Sequence, residues 1–172
     1  MNNKNDEFHT FRGYQMLKQK HEQLTDKMTA SMEDYLEMIY RNCLKEGFVR
    51  TNQLAGQLNV QASSVTKIVQ KLTEFGLLDY QKYGVIQLTD KGKVLGGFLL
   101  NRHLIVENFL RIIGVNNDFL LRDTEMIEHH LSDNTVQQIK QLYRFFKHNP
   151  HILKQFRMYK SAQIKKNGRP GR

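Results

Sequence analysis

Two consecutive segments constrain the fold of this chain most: Val49-Arg-Thr-Asn-Gln-Leu-Ala-Gly-Gln-Leu-Asn-Val60 and Gln61-Ala-Ser-Ser-Val-Thr-Lys-Ile-Val-Gln-Lys-Leu72. The first reads as a short helix from near Thr51 to near Asn59. The second reads as a helix from near Ala62 that turns Val65, Ile68, Val69 and Leu72 inward. Two short helices joined by a tight turn, the second rich in Ser, Thr, Gln and Lys, make a helix-turn-helix. Its outward set, Ser63, Ser64, Thr66, Lys67, Gln70 and Lys71, carries groups that meet base edges and phosphates. An ordinary polar helix face is the alternative, and the segments that follow argue against it. Gly76-Leu-Leu-Asp-Tyr80 and Val85-Ile-Gln-Leu-Thr89 read as two strands around Gln81-Lys-Tyr-Gly84. A hairpin directly after such a helix is a wing, with Lys82 and Tyr83 near its tip, where a cation and a phenol reach phosphate. The order of elements specifies a winged-helix DNA-binding domain. Thr51 and Gln61 complete the expected DNA-contacting set.

Charge agrees with this reading. Against 17 acidic residues stand 26 basic ones, a formal net charge of +9. Such an excess suits a polyanion, either nucleic acid or an anionic membrane surface. The basic residues gather in the DNA-reading positions and the tail, which favours nucleic acid. No apolar run approaches the roughly 20 residues a membrane span needs. Met1 to Glu7 are polar and lack an apolar signal region, so no secretion signal is expected. The single Cys43 excludes an internal disulfide framework, fits a reducing cytoplasm and reads as a small core residue.

The flanking segments are mainly helical. Tyr14, Leu17, His21, Leu24 and Met28 follow helical spacing within an N-terminal extension whose role the residues do not reveal. Ser31-Met-Glu-Asp34 has capping-box form and opens a helix with Tyr35, Leu36, Ile39, Tyr40 and Cys43 on its apolar side, ended by Gly47. Thr89-Asp-Lys-Gly92 starts another helix. From Lys93 to Ile113 runs a long one bearing Leu95, Phe98, Leu99, Ile105, Val106, Phe109, Leu110 and Ile113. That apolar surface is wider than one neighbour needs, so part of it is expected to meet a second subunit. Asp133 to Lys147 makes a further helix, Pro150 breaks it, and Ile152 to Ile164 is a last one. In the tail, Gly168-Arg169-Pro170 among basic residues matches the core of a minor-groove hook, against the plainer reading of a basic tail. The expected organisation is residues 1–30 as the extension, 31–97 as the winged-helix domain, 98–167 as an all-α domain, and 168–172 as the basic tail.

Chemistry concentrates in Asp123-Thr-Glu-Met-Ile-Glu-His-His-Leu131. On a helix, Glu125, Glu128 and His129 stand at i, i+3 and i+4 and share a face, with Leu121, Ile127 and Leu131 as an apolar flank. Three acceptors crowded on a partly buried face call for a cation; on a solvated edge they do not. Both readings stay open at this point. Asp34 and Glu37 are i, i+3 neighbours whose plain readings are a capping carboxylate and a solvated charge. His103, in line with Leu99, Val106 and Leu110, reads by default as a satisfied core residue.

Taken together, Ser31-Met-Glu-Asp-Tyr-Leu-Glu37, Ser63-Ser-Val-Thr-Lys67, Val69-Gln-Lys-Leu72, Leu88-Thr-Asp-Lys-Gly92, Arg102-His103, Phe109-Leu-Arg-Ile-Ile-Gly-Val115 and Ile127-Glu-His-His-Leu131 carry a resemblance. The chain resembles the metal-dependent repressors of the diphtheria toxin repressor (DtxR) family, most closely their manganese-responsive branch, over nearly everything after residue 30. The resemblance implies six metal ligands: Asp34, Glu37, His103, Glu125, Glu128 and His129, holding two Mn(2+) ions per subunit, with Glu37 and Glu128 able to bridge. Fe(2+), Co(2+), Zn(2+) and Cd(2+) are the implied substitutes. Iron-responsive relatives place Met at the position of Asp34 and Cys at that of Glu125, so these two carboxylates argue for manganese. Two departures stand out. Leu121 occupies the position of a His in the ancillary ion site of iron-type relatives, so that site is not carried over to His103 and Glu107. Ala62 replaces a Pro frequent at the start of the recognition helix. The implied whole is a mainly α protein with a winged helix, a small hairpin and an all-α dimerisation domain, without an SH3-like third domain. It would act in the cytoplasm as a homodimeric, manganese-activated repressor of metal-uptake genes on double-stranded operator DNA, with no enzymatic activity, membrane partner or organic ligand. A di-metal hydrolase and a winged-helix regulator gated by an organic ligand are the rival readings.

Overall fold

The computed structural model describes residues 27–167. The helix expected around Tyr14 to Leu24 and the Gly168-Arg169-Pro170 hook lie outside them. The chain falls into two compact units, Met1–Leu100 and Asn101–Arg172. It is mainly helical, with one small antiparallel sheet.

In the first unit, α1 spans Ala30–Glu46. Its cap is Thr29 rather than the expected Ser31. Thr29 has the extended backbone a cap requires (φ −83°, ψ 156°), and its Oγ1 accepts from the Met32 N–H at 3.3 Å. Ser31 therefore lies inside the first turn, exposed. Gly47, at φ 78°, closes the helix. Next come β1 (Val49–Arg50), α2 (Thr51–Leu58) and α3 (Ala62–Glu74), the last two forming the helix-turn-helix. Asn59 makes the turn between them in the left-handed region, φ 52°. The wing strands are β2 (Leu78–Tyr80) and β3 (Val85–Leu88), shorter than their sequence suggests. Gly76, at φ 69°, belongs to the turn that leaves α3, and Thr89 is committed to capping the next helix. The sheet order is β1-β3-β2, with Val49 opposite Ile86 and Leu78 opposite Leu88. The strand β1 has no signature in the sequence: two residues are too few to show alternation, and only pairing with β3 defines them.

One contiguous core holds this unit. Leu36 and Ile39 of α1, Leu54 of α2, Val65, Val69 and Leu72 of α3, and Ile86 of β3 are fully buried. Burying each such side chain contributes about 1.5–3 kcal/mol. A polar tie fixes α1 to α2: the buried Asn42 amide donates to Gln57 Oε1 at 2.8 Å and accepts from Gln57 Nε2 at 3.0 Å. Cys43 packs against this core, and burial pushes its thiol above the usual range, so it stays neutral at pH 7. A single helix, α4 (Asp90–Ile113), replaces the two expected starts, and the division between the units falls within it. Thr89 Oγ1 caps it by accepting from the Gly92 N–H at 3.0 Å. Gly92 presses on the end of the wing: a Cβ there would stand 1.9 Å from the Leu77 carbonyl oxygen.

The second unit contains the C-terminal part of α4, then α5 (Asn117–Glu128), α6 (Asp133–His148) and α7 (Pro150–Asn167). Asn116 and Ser132 cap α5 and α6. Lys160 of α7 donates to the carbonyls of Ile113 and Gly114, 3.0 Å each, satisfying the end of α4. On α5 the inward side differs from expectation. Leu121 and Ile127 are 64% and 37% exposed, while the buried line is Leu120, Thr124 and Glu128. Thr124 can be buried without loss because its Oγ1 donates to the Leu120 carbonyl at 2.7 Å. Among the described residues, no helix is long and apolar enough to cross a membrane.

Candidate metal centre and nucleic-acid face

The second unit gathers four of the six expected ligands. His103 on α4 and Glu128 on α5 are both almost fully buried. The His103 Nδ1–H donates to Glu128 Oε1 at 3.2 Å and lies 3.5 Å from Glu125 Oε1. His129 caps the end of α5 with its backbone still helical (φ −70°, ψ −16°), which preserves the i, i+3, i+4 face past the last helical residue. Its Nε2 stands 3.9 Å from Glu128 Oε1 and 4.0 Å from Glu125 Oε2. Glu125, Glu128 and His129 each offer an atom within 4.8 Å of the others.

Glu128 Oε2 is the telling atom. It is buried and, among the described residues, has no hydrogen-bond partner; the Arg102 Nε lies 4.0 Å away. A carboxylate oxygen removed from water without a partner is costly, and a cation removes that cost. Two carboxylates and two imidazoles form a donor set suited to hard or borderline divalent ions. The residues present fit a metal. The same cluster contains a residue absent from the expected set, Arg102, which is buried and whose Nη2 donates to His129 Nδ1 at 3.1 Å. Its signal was readable: position 102 falls three after Leu99 and four before Val106, a permanent cation on an apolar helix line.

Asp34 and Glu37, the other two expected ligands, stand one turn apart on α1 in the first unit. Glu37 is buried and accepts from Arg41 Nε at 2.8 Å; Asp34 is half-buried. Glu33, which the sequence did not single out, is buried beside them in the chain. Glu107 pairs with Arg111 and keeps a 3.9 Å contact to His103 Nε2, while Leu121 is turned outward.

On α3, Ser63, Ser64, Lys67, Gln70 and Lys71 are exposed, as is Gln61 before them. Thr66 is half-buried, with its hydroxyl donated to the Ala62 carbonyl at 3.0 Å. An open groove of about 550 Å³ runs along this face, and Ser31 and Tyr35 of α1 line it with Ser64, Lys67 and Lys71. At the wing tip Lys82 is exposed and Tyr83 is 92% exposed, held at φ 63° in a single 3₁₀ turn. A non-glycine residue in that region is strained, and here it carries an exposed phenol. Thr51, expected on the DNA face, is buried, and its hydroxyl donates to the Gly84 carbonyl at 3.1 Å, so it braces the wing. A Cβ on Gly84 would lie 2.9 Å from that hydroxyl, with φ 74° a second reason for glycine.

A winged helix joined to a helical unit that clusters two carboxylates and two imidazoles around the buried Glu128 and His103 defines a metal-binding transcriptional regulator. Comparison with known proteins agrees. Residues 27–86 match the N-terminal DNA-binding domain of the iron-dependent repressors, and residues 89–157 match their metal-binding and dimerisation domain. The transcriptional regulator MntR of Lysinibacillus sphaericus is 44% identical over 133 residues, covering 77% of this chain and 96% of the relative. MntR of Oceanobacillus iheyensis is 49% identical over 119 residues, covering 69% and 81%. The solved structure of the manganese regulator SloR matches with a TM-score of 0.60 at 29% identity, over 69% of this chain; the chain spans only 55% of that longer protein. The chain belongs to the DtxR family of iron-dependent repressors, on its MntR-like branch. It is a regulator by family and not an enzyme.

Proposed function

We propose that this chain is a homodimeric repressor, activated by manganese, that binds operator DNA and shuts off genes for metal uptake in the cytoplasm. The observation that carries the reading is the buried Glu128 carboxylate, one oxygen of which lacks any hydrogen-bond partner among the described residues. Kinship with MntR regulators and with SloR supports manganese as the ion. Asp34, Glu37, His103, Glu125, Glu128 and His129 would hold two ions per subunit, and Fe(2+), Co(2+), Zn(2+) or Cd(2+) could take the same donors. A bound divalent ion would supply the positive charge that the buried Glu128 carboxylate lacks.

The remaining work belongs to the protein. Residues 31–97 act as the DNA-binding domain and residues 98–167 as the metal and dimer domain. Gln61, Ser63, Ser64, Thr66, Lys67, Gln70, Lys71, Lys82 and Tyr83 face the duplex, the hydroxyls and amides towards base edges and the cations and phenol towards phosphates. Leu121, Met126 and Ile127, exposed on α5, are apolar surface for the second subunit. Ligands drawn from both domains tie the winged helices to the dimer, which gives the two recognition helices the fixed separation that operator half-sites about one turn apart demand. Apo conformers with misaligned helices lower the apparent affinity by their share of the population.

Metal analysis after equilibrium dialysis tests the ligand set. Wild-type protein at micromolar manganese should retain about two ions per subunit, and Glu128→Gln should lose them with its helical circular dichroism intact. A wild-type protein that holds no manganese contradicts the reading; a Glu128→Gln chain that unfolds makes Glu128 a structural residue.

A further inference from the structure

We propose that Arg102 is a built-in competitor of the metal, a cation of the chain's own set against two of the proposed ligands. The proposal rests on the metal-centre reading above and goes beyond it by naming what the ion must displace. Arg102 is buried on α4, directly before His103, and reaches two of the proposed ligands. Its Nη2 lies 3.1 Å from His129 Nδ1, and its Nε lies 4.0 Å from Glu128 Oε2.

The hydrogen-bond inventory makes that contact exclusive. A guanidinium has only donors and does not lose its proton in a protein. His129 Nδ1 must therefore be the acceptor, and in the neutral ring the proton sits on Nε2. Neither nitrogen then has a lone pair to give. An ion that ligates through Nδ1 must push the guanidinium off it. An ion that ligates through Nε2 sends the ring proton to Nδ1, where it faces the Arg102 N–H and the contact becomes repulsive. By either nitrogen, ligation by His129 and the Arg102 hydrogen bond exclude each other. The Arg102 charge opposes a second cation on the same carboxylates as well.

The consequence is a set point. In the metal-free protein Arg102 offsets part of the charge of Glu128. Metal binding must include its withdrawal, which weakens affinity and raises the free-ion concentration at which the site fills. A family of regulators whose task is to respond within a window of metal concentration gains from such a resident counter-charge; the tightest site would never empty.

The test uses the full-length, metal-free protein. Manganese affinity is measured by competition with a fluorescent chelator for the wild type and for Arg102→Met, and the melting temperature of each metal-free protein is recorded. Competition predicts manganese binding at least about tenfold tighter in Arg102→Met, the scale of one charge-assisted hydrogen bond no longer to be broken. It also predicts a lower melting temperature for the metal-free variant, since the buried Glu128 has lost its counter-charge. The cobalt-loaded forms should give the same ligand-field spectrum, because Arg102 is no part of the loaded centre. Equal or weaker manganese affinity in Arg102→Met overturns the proposal and makes the guanidinium a group that positions His129 for the ion. A changed cobalt spectrum does the same. Should Arg102→Met fail to fold, Arg102→Lys serves in its place: the shorter cation reaches fewer partners, so affinity must still exceed that of wild type. Wild-type protein that binds no manganese at all is a different outcome, and it strikes the metal-centre reading itself.

Discussion

The two units of this molecule are held together by different means. The winged-helix unit is built on an apolar core of Leu36, Ile39, Leu54, Val65, Val69, Leu72 and Ile86, all fully buried. The helical unit buries few aliphatic side chains of its own, among them Val106, Leu120 and Val136, and spends its interior on Arg102, His103, Thr124 and Glu128. It also leaves Phe119, Leu121, Met126, Leu142 and Phe145 at its surface. The first unit has a full apolar core beside its buried Glu33 and Glu37, whereas the second has charges at its centre and apolar groups at its surface. Under the proposed function, the DNA-reading part would stay folded while the sensing part responds to metal.

The largest effect should separate the units outright. Leu54→Ala removes a fully buried side chain from the first core and should cost about 2–5 kcal/mol, measured by urea unfolding. Met126→Ala, on the exposed side of α5, should change the stability of metal-free monomer by less than about 0.5 kcal/mol. Similar costs at both positions would break the contrast. Metal removal comes next. Manganese at about 100 times its dissociation constant should stabilise the protein by about 2.7 kcal/mol. That gain should appear as protection from amide exchange in α5, with little change in α3. Uniform protection of both helices would show that the units do not respond separately.

A smaller effect sharpens the account of the DNA face. Lys71→Ala should weaken operator binding evenly across sequences and reduce the slope of log K against log salt by about 1. An altered base preference instead would make Lys71 a reader of bases.

How far these features could be read in the residues depends on their range. The helix-turn-helix was legible because Val65, Val69 and Leu72 repeat at helical spacing and leave Ser63, Lys67 and Gln70 outside, all within one short segment. The Glu125, Glu128, His129 face was legible for the same reason. Other features depend on pairing at a distance. The strand Val49–Arg50 exists only through β3, and nothing in the neighbours of Thr51 shows that its hydroxyl is held by Gly84, 33 residues on. Local competition misled as well: Thr29 and Ser31 are equally good caps by type, and only the backbone chose Thr29. On α5 the apolar residues Leu121 and Ile127 drew the inward side to the wrong place, because a buried line containing Thr124 and Glu128 is not hydrophobic. Charge was the hardest to read. Arg102 stood in plain view beside His103, but its value as a counter-charge depends on Glu128 and His129 arriving from another helix.

Metal gating of DNA binding is the central claim, and one titration tests it directly. Fluorescence anisotropy of a labelled operator fragment is followed as protein is added in the presence of manganese, and again after a chelator has removed it. Gating predicts tight, saturable binding with manganese, loss of most of that affinity on chelation, and full recovery when manganese is returned. Equal affinity in both conditions would contradict it.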